Sequence, residues 1–484
     1  MGESERREEI VLFPFMAQGH IIPMLALALE LEKRNKYSIT IVNTSLNITK
    51  LKSSLPPASS ITLLTIPFNP SDHNLPSNAH NTDTIPYHLV LRLIRACTTL
   101  SAPFKTLLQT LITPDSNLCI IADIFFGWTA AVAKDLGAFH LIFSGCPAYG
   151  LACYHSLWLN LPHRLPTATA TGDSFTLPDF PEARLIHRTQ LPTNISEADG
   201  TDEWSLFQRY NFSFWPHSDG VLFNTVESFD SVGLDYFRRK LGRPAWPVGP
   251  LLLSTGAASR GKGGGINPSL CNQWLNSKPL RSVLFVCFGS MNTVSASQMM
   301  ELAKALERCG RNFIWVLRPP IGFDINSDFR ESEWLPLGFA ERVGGSGRGL
   351  LVHDWAPQVE ILSHGAVSAF LSHCGWNSVL ESLSQGVPIL GWPMAAEQFY
   401  NCKMLEEEVG VCVEVARGKS CEVRCADIVG KIELVMEETE KGARMREKAR
   451  EIRDVIKNAF KSEDDGVKGS SARALDEFLS AAMS

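Results

Sequence analysis

Residues 369–382 read AFLSHCGWNSVLES, and this stretch decides the fold class. Ala369, Phe370 and Leu371 close an apolar strand, and His373, Cys374 and Gly375 make a sharp turn. A helix then starts near Trp376 or Asn377 and runs through Leu383, with Gly386 just past its end as a C-cap. A helix that begins at the carboxyl end of a parallel strand presents free N–H groups and the positive end of its dipole, a ready anion site. His373, Asn377 and Ser378 can add donors to a phosphate. Ser378 and Glu381 also fit the S-x-x-E capping box, so a well-capped helix with no ligand explains the same residues.

The rest of the chain repeats this strand–turn–helix unit. Ile10 to Phe15 reads as an apolar strand and Ala17 to His20 as a loop. Pro23 suits the first turn of a helix running to about Lys33, and Ser38 to Val42 reads as the next strand. Further strands are expected at Ile61–Ile66, Leu118–Ala122, Phe139–Phe143, Val221–Asn224 and Trp246–Gly249, with a long helix over Ile85–Leu111 and another near Trp128–Leu136. Residues 253–269 are rich in Gly and Ser and nearly free of apolar side chains, as a linker is. A second α/β unit begins with VLFVCF at Val283–Phe288. Ser295 with Gln298 caps the helix that follows. More strands are expected at Phe313–Leu317, Leu350–His353, Val367–Leu371 and Pro388–Leu390, and helices at Gln398–Glu408, Ala426–Glu437, Ala443–Lys461 and Ser470–Ala482. The expected architecture is α/β: two doubly wound domains, 1–252 and 270–462, face each other across a cleft, and 463–484 forms a last helix. Ligands of such sheets sit at the carboxyl ends of the strands.

Composition narrows the partners. A chain of 484 residues is long enough for two domains, and 45% hydrophobic with 20% charged residues is the balance of a folded soluble protein. The net charge of −6 argues against nucleic acid as a main partner. No apolar run reaches membrane-span length and no signal-peptide pattern opens the chain, so a cytoplasmic protein is expected, most simply a monomer. Its twelve cysteines are scattered without paired metal-type spacing.

The flanks of the opening stretch carry a resemblance. Upstream stand Trp355, Ala356, Pro357 and Gln358, and downstream Val387–Pro393 and then Ala395, Ala396, Glu397 and Gln398. Trp355 to Gln398 resembles, over its full length and without a gap, the donor-binding signature of plant family 1 UDP-dependent glycosyltransferases. That resemblance implies the GT-B fold, with two Rossmann-like domains and a final helix that crosses back to the first. It also implies a UDP-sugar donor. Trp355 would stack on uracil, with Ala356 and Gln358 at its edge, and Glu381 would accept from the ribose hydroxyls. Ser290, His373, Gly375, Asn377 and Ser378 would hold the diphosphate, and Trp376, Glu397 and Gln398 would face the sugar. The pattern contains no metal-binding carboxylate pair, so neither metal nor cofactor is expected and UDP-glucose enters as co-substrate. Position 397 is Glu where many relatives carry Asp, while Trp376 and Gln398 favour glucose by resemblance.

Transfer also needs a base for the acceptor hydroxyl. His20 follows the first strand and Asp123 follows the strand Leu118–Ala122, so both lie at carboxyl ends of one sheet. A neutral imidazole oriented by a carboxylate is the natural base near pH 7. In the family a histidine and an aspartate at these places form that pair. An N-cap role for Asp123 is the plain alternative. The resemblance implies an inverting displacement at C1 of the UDP-sugar, giving a β-glucoside of a flavonoid, other phenolic or terpenoid. C-glycosylation and another UDP-sugar remain alternatives. Phe15, Gly19, Phe125, Phe126, Phe143, Tyr149 and Trp204 are candidates for the acceptor pocket, each also explicable as core. A nucleotide-dependent oxidoreductase is disfavoured by the missing GxGxxG after the first strand, and a non-catalytic UDP-sugar binder by the presence of His20 and Asp123.

Overall fold

The computed structural model describes residues 8–112, 117–165, 172–253, 265–353, 355–419, 421–462 and 466–483. Seven parallel strands form the first sheet: β1 (Glu8–Phe13), β2 (Tyr37–Asn43), β3 (Thr62–Thr65), β4 (Leu118–Asp123), β5 (Phe139–Ser144), β8 (Gly220–Phe223) and β9 (Ala245–Pro247), in the order β3-β2-β1-β4-β5-β8-β9. A small antiparallel hairpin, β6 (Ser174–Thr176) and β7 (Leu185–His187), stands apart from it. The second sheet holds six parallel strands, β10 (Val283–Cys287), β11 (Asn312–Leu317), β12 (Gly349–His353), β13 (Val367–Ser372), β14 (Ile389–Gly391) and β15 (Cys412–Glu414), in the order β12-β11-β10-β13-β14-β15. In both sheets the order reverses beside the first strand, β1 against β4 and β10 against β13. Each reversal opens a crevice at the strand ends, where ligands of such sheets bind.

The central strands are apolar on both faces because helices cover both; β4 and β13 are buried along their whole length. The last helix, Ser470–Ala482, lies on the first sheet. Leu475, Phe478 and Leu479 share a core with Leu12, Ile41 and Trp246 there, Arg34 pairs with Asp476, and the Ser471 hydroxyl donates to the Gly249 carbonyl. A further apolar cluster joins the two halves, with Tyr149, Trp158 and Phe223 of the first packed with Trp376, Phe399 and Tyr400 of the second.

Three expectations are corrected. The helix over Ile85–Leu111 is broken into Val90–Ala96 and Ser101–Gln109 by a 3-10 turn, Cys97–Leu100. Pro103 can supply no amide hydrogen to that turn, and the Thr98 and Thr99 hydroxyls donate instead to the carbonyls of Arg95 and Ala96. Of the linker at 253–269, residues 254–264 lie outside the described residues. Its end is helical: Pro268–Asn276 starts behind Asn267, whose side chain accepts from the Ser269 amide. Finally, Ser378 and Glu381 form no capping box. Gly375 is the N-cap of Trp376–Ser384 and offers no side chain, whereas Ser295 and Gln298 do form theirs.

Candidate active site

His20 belongs to the first turn of the helix Gln18–Glu32 rather than to a loop before it. Asp123 is the last residue of β4, and β4 pairs directly with β1. Their adjacency is therefore a property of the sheet: His20 Nδ1 lies 2.8 Å from Asp123 Oδ2. A carboxylate only accepts, so Nδ1 carries the hydrogen and Nε2 keeps its lone pair in the neutral ring. The other Asp123 oxygen accepts from the Phe125 amide at 3.1 Å, and the carboxylate is 1% exposed. That bond holds the acid in place without capping a helix; the next one starts at Thr129 with Trp128 as its N-cap. Phe15 and Phe125 flank the imidazole, with ring centroids at 5.4 and 5.3 Å. Burial alone would lower the His20 pKa. The Asp123 charge, its hydrogen bond and the more modest charge of Glu397 outweigh it, and the pKa is raised.

Glu397 comes from the second half of the chain and lies within electrostatic reach of His20. Burial raises its carboxyl pKa. Its own backbone amide, the His20 charge, the Cys146 thiol and the Asn401 amide each offset part of that rise. Asn401 Nδ2 donates to Glu397 Oε1 at 3.3 Å. The two halves meet again where Asn377 Nδ2 donates to the Gly19 carbonyl at 3.4 Å.

That Asn377–Gly19 contact brings the N-terminus of the helix Trp376–Ser384 beside the turn that carries His20. With no side-chain cap, its first-turn amides have no intrahelical partners. His373 sits in the preceding turn, nearly buried, against two glycines. A Cβ on Gly289 would stand 2.7 Å from its Cε1, and one on Gly375 would stand 2.3 Å from its Nε2. Burial, with some help from the Lys419 charge, lowers its pKa to about 4. Its Nδ1 is buried and has no hydrogen-bond partner among the described residues. An orphaned buried nitrogen beside a bare helix terminus fits an anionic ligand. Ser290 is exposed at the end of β10, at the same opening.

Ser378 and Glu381 lie inside the helix Trp376–Ser384, and Gln358 engages both. Its Nε2 donates to Ser378 Oγ at 3.0 Å and to Glu381 Oε2 at 2.7 Å, so both capping-box side chains are held by a residue from another helix. Trp355 and Ala356 directly precede this glutamine's helix, with Trp355 half-buried. Trp376 is a correction. Its indole does not face the opening, because Nε1 donates to the Asn224 carbonyl at 2.6 Å in the joint between the halves. Only the Trp376 backbone amide is left for a ligand. Gln398 is a partial one: its carbonyl accepts from the Met394 and Ala395 amides, leaving the NH2 group.

Of the acceptor candidates, Phe15 and Phe125 stand beside His20 and Gly19 lies at the opening. Three are not brought there. Phe126 is fully buried against Phe13 and Trp128, and Phe143 faces the core under the last helix. Tyr149 packs on Phe180 with its backbone amide held by Asp230. Trp204 is half-buried, 6.3 Å from Trp158. Cys146 and Asn401, both in contact with Glu397, were not singled out from the sequence. The one signal for Cys146 is its place two residues beyond the carboxyl end of β5.

Known proteins resemble the chain along its whole length. The family described as "UDP-glucoronosyl and UDP-glucosyl transferase" matches residues 263–449. UDP-glycosyltransferase 92A1 of Arabidopsis thaliana is 52% identical, over 100% of this chain and 99% of its own. Crocetin glucosyltransferase 3 of Crocus sativus is 41% identical, over 98% of each. Among solved structures, Glycyrrhiza uralensis UGT73P12 complexed with glycyrrhetinic acid 3-O-monoglucuronide superposes with a TM-score of 0.83 at 28% identity, covering 98% of this chain and 96% of the other.

Proposed function

The chain belongs to the UDP-glucoronosyl and UDP-glucosyl transferase family and is a GT-B glycosyltransferase, and we propose that it moves glucose from UDP-glucose to a hydroxyl of a small lipophilic acceptor with inversion at C1. The observation that carries this reading is the His20–Asp123 pair at 2.8 Å, with Glu397 in electrostatic reach and the bare helix terminus beside the His20 turn. His20 Nε2 takes the acceptor proton, and Asp123 stabilises the imidazolium that forms. The acceptor oxygen attacks C1 from the His20 side, and the C1–O bond to the diphosphate breaks. The first-turn amides of Trp376–Ser384, His373, Asn377, Ser378 and Ser290 receive the departing charge, so no metal is required. A neutral His373 donates one N–H to a phosphate oxygen. Glu397 and the Gln398 NH2 hold the sugar hydroxyls, and Trp355 with Gln358 and Glu381 holds the nucleoside.

Phe15 and Phe125 support a flat, apolar acceptor, a flavonoid, other phenolic or terpenoid. Similar proteins whose names include crocetin and glycyrrhetinic acid 3-O-monoglucuronide support a small organic one. No helix among the described residues is long and apolar enough to cross a membrane. The twelve cysteines form no disulfide, which supports a reducing compartment, in keeping with a cytoplasmic protein. The test is UDP release from UDP-glucose against a panel of phenolic and terpenoid acceptors, with and without a chelator. Acceptor-dependent release that survives chelation is expected. Tight UDP binding with no release from any acceptor would sink the reading.

A further inference from the structure

Behind the His373–Gly375 turn three thiols converge. Cys374 belongs to that turn, Cys402 to the helix Gln398–Met404 and Cys412 to β15, the edge strand. Their sulfurs all lie within 4.8 Å of one another, with Cys402 and Cys412 at 3.9 Å. Gly391 of β14 makes the room: a Cβ there would stand 2.4, 3.0 and 3.1 Å from the sulfurs of Cys402, Cys412 and Cys374. All three thiols are buried.

Charge selects what such a site can hold. Three thiolates around a monovalent or divalent soft cation leave a net negative complex, and a buried net charge is strongly disfavoured. The charged groups felt at the cluster include the carboxylates of Glu414 and Glu406, which oppose added negative charge further. A structural zinc site also wants four ligands, and the cluster supplies three among the described residues. A trivalent ion bound by three thiolates is neutral and suits the apolar surroundings of Ile389, Phe399 and Leu405.

We propose that Cys374, Cys402 and Cys412 form a capture site for trivalent arsenic, taken up as uncharged arsenous acid. The step is As(OH)3 + 3 RSH → As(SR)3 + 3 H2O. Three As–O bonds break and three As–S bonds form, each thiol proton leaves in a water, and no electron changes hands. Entry is by local opening at the sheet edge. There β15 is three residues long and follows the π-helical turn Leu405–Val409, and short edge elements open at low free energy. Drawing the sulfurs together pulls on Cys374, which lies between His373 and Gly375, so capture weakens donor binding. This last consequence, though not the capture, rests on the donor-site reading above.

The test incubates the full chain with sodium arsenite, removes free arsenite and counts arsenic per chain by intact mass and elemental analysis. One arsenic per chain is expected, retained in excess monothiol and removed by a vicinal dithiol. Cys412→Ala and Cys402→Ala are each expected to lose it, and Cys421→Ser with Cys425→Ser to keep it. Melting curves run alongside, so that if one alanine variant is unfolded the other supplies the reading. In the loaded protein the KM for UDP-glucose should rise about tenfold or more, as expected for a misplaced binding group, with the acceptor KM unchanged. No retained arsenic, or equal retention in a folded Cys412→Ala or Cys402→Ala chain, overturns the site. One arsenic bound with an unchanged donor KM overturns its coupling to the donor turn. Failure of all glucosyl transfer would touch the functional reading and leave the arsenic count standing.

Discussion

Two histidines stand at strand ends on opposite sides of the cleft, and their surroundings give them opposite chemistry. His20 has a buried carboxylate 2.8 Å from Nδ1 and a second acid in reach, so its pKa is raised despite burial. His373 is buried against Gly289 and Gly375 with no acid acting on it among the described residues, and burial with help from the Lys419 charge lowers its pKa to about 4. One ring is tuned to gain a proton and the other to stay neutral and donate a single N–H. The residue type is the same; the neighbour decides the role.

The contrast breaks most visibly at the base. His20→Ala is expected to lower kcat/KM by about 10²–10⁴, the usual worth of a positioned base, with the melting temperature and the KM for UDP-glucose little changed. Steady-state kinetics beside a melting curve reads both. The donor side should respond in the other parameter. Gln358→Ala removes the amide bonds to Ser378 and Glu381. It should raise the KM for UDP-glucose about tenfold, consistent with roughly 1.5 kcal/mol for a hydrogen bond to a charged group, while kcat holds. A fall in kcat at constant KM would count against a role in donor binding. The smallest effect belongs to the joint between the halves. Trp376→Phe removes the bond to the Asn224 carbonyl and should lower stability by about 1 kcal/mol, leaving both KM values near wild type. A large change in donor KM would mean the indole itself touches the sugar.

Much of the fold is readable because buried parallel strands are continuous apolar runs, and Val283–Cys287 and Leu118–Asp123 stand out on that ground alone. Adjacency of His20 and Asp123 is readable too, since His20 opens the helix that follows β1 and Asp123 ends β4, so both sit at the carboxyl ends of neighbouring parallel strands. What failed depends on distant partners. The Ser378–Glu381 pattern is a valid local cap, but Gln358, twenty residues upstream, engages both side chains. Phe15 and Phe143 both belong to the carboxyl-end region of the first sheet. Phe15 meets His20 while Phe143 meets the core under the last helix, and which side each takes is set by sheet faces and later packing. Cys146 touches Glu397 across the domain joint, a contact with no sequence periodicity behind it.

The most direct test of the His20 assignment is the pH dependence of kcat/KM for wild type and Asp123→Asn. A base acts only when neutral, so activity falls as pH drops through its pKa. In the wild type that acid limb should lie above the range of an unperturbed histidine, because the Asp123 charge and hydrogen bond raise the His20 pKa. Removing the charge should move the limb to lower pH while the maximal rate drops, and donor binding governed by the neutral His373 should stay flat from about pH 5 to 8. An acid limb at the same pH in both proteins would contradict the pairing of His20 with Asp123 as the source of the base.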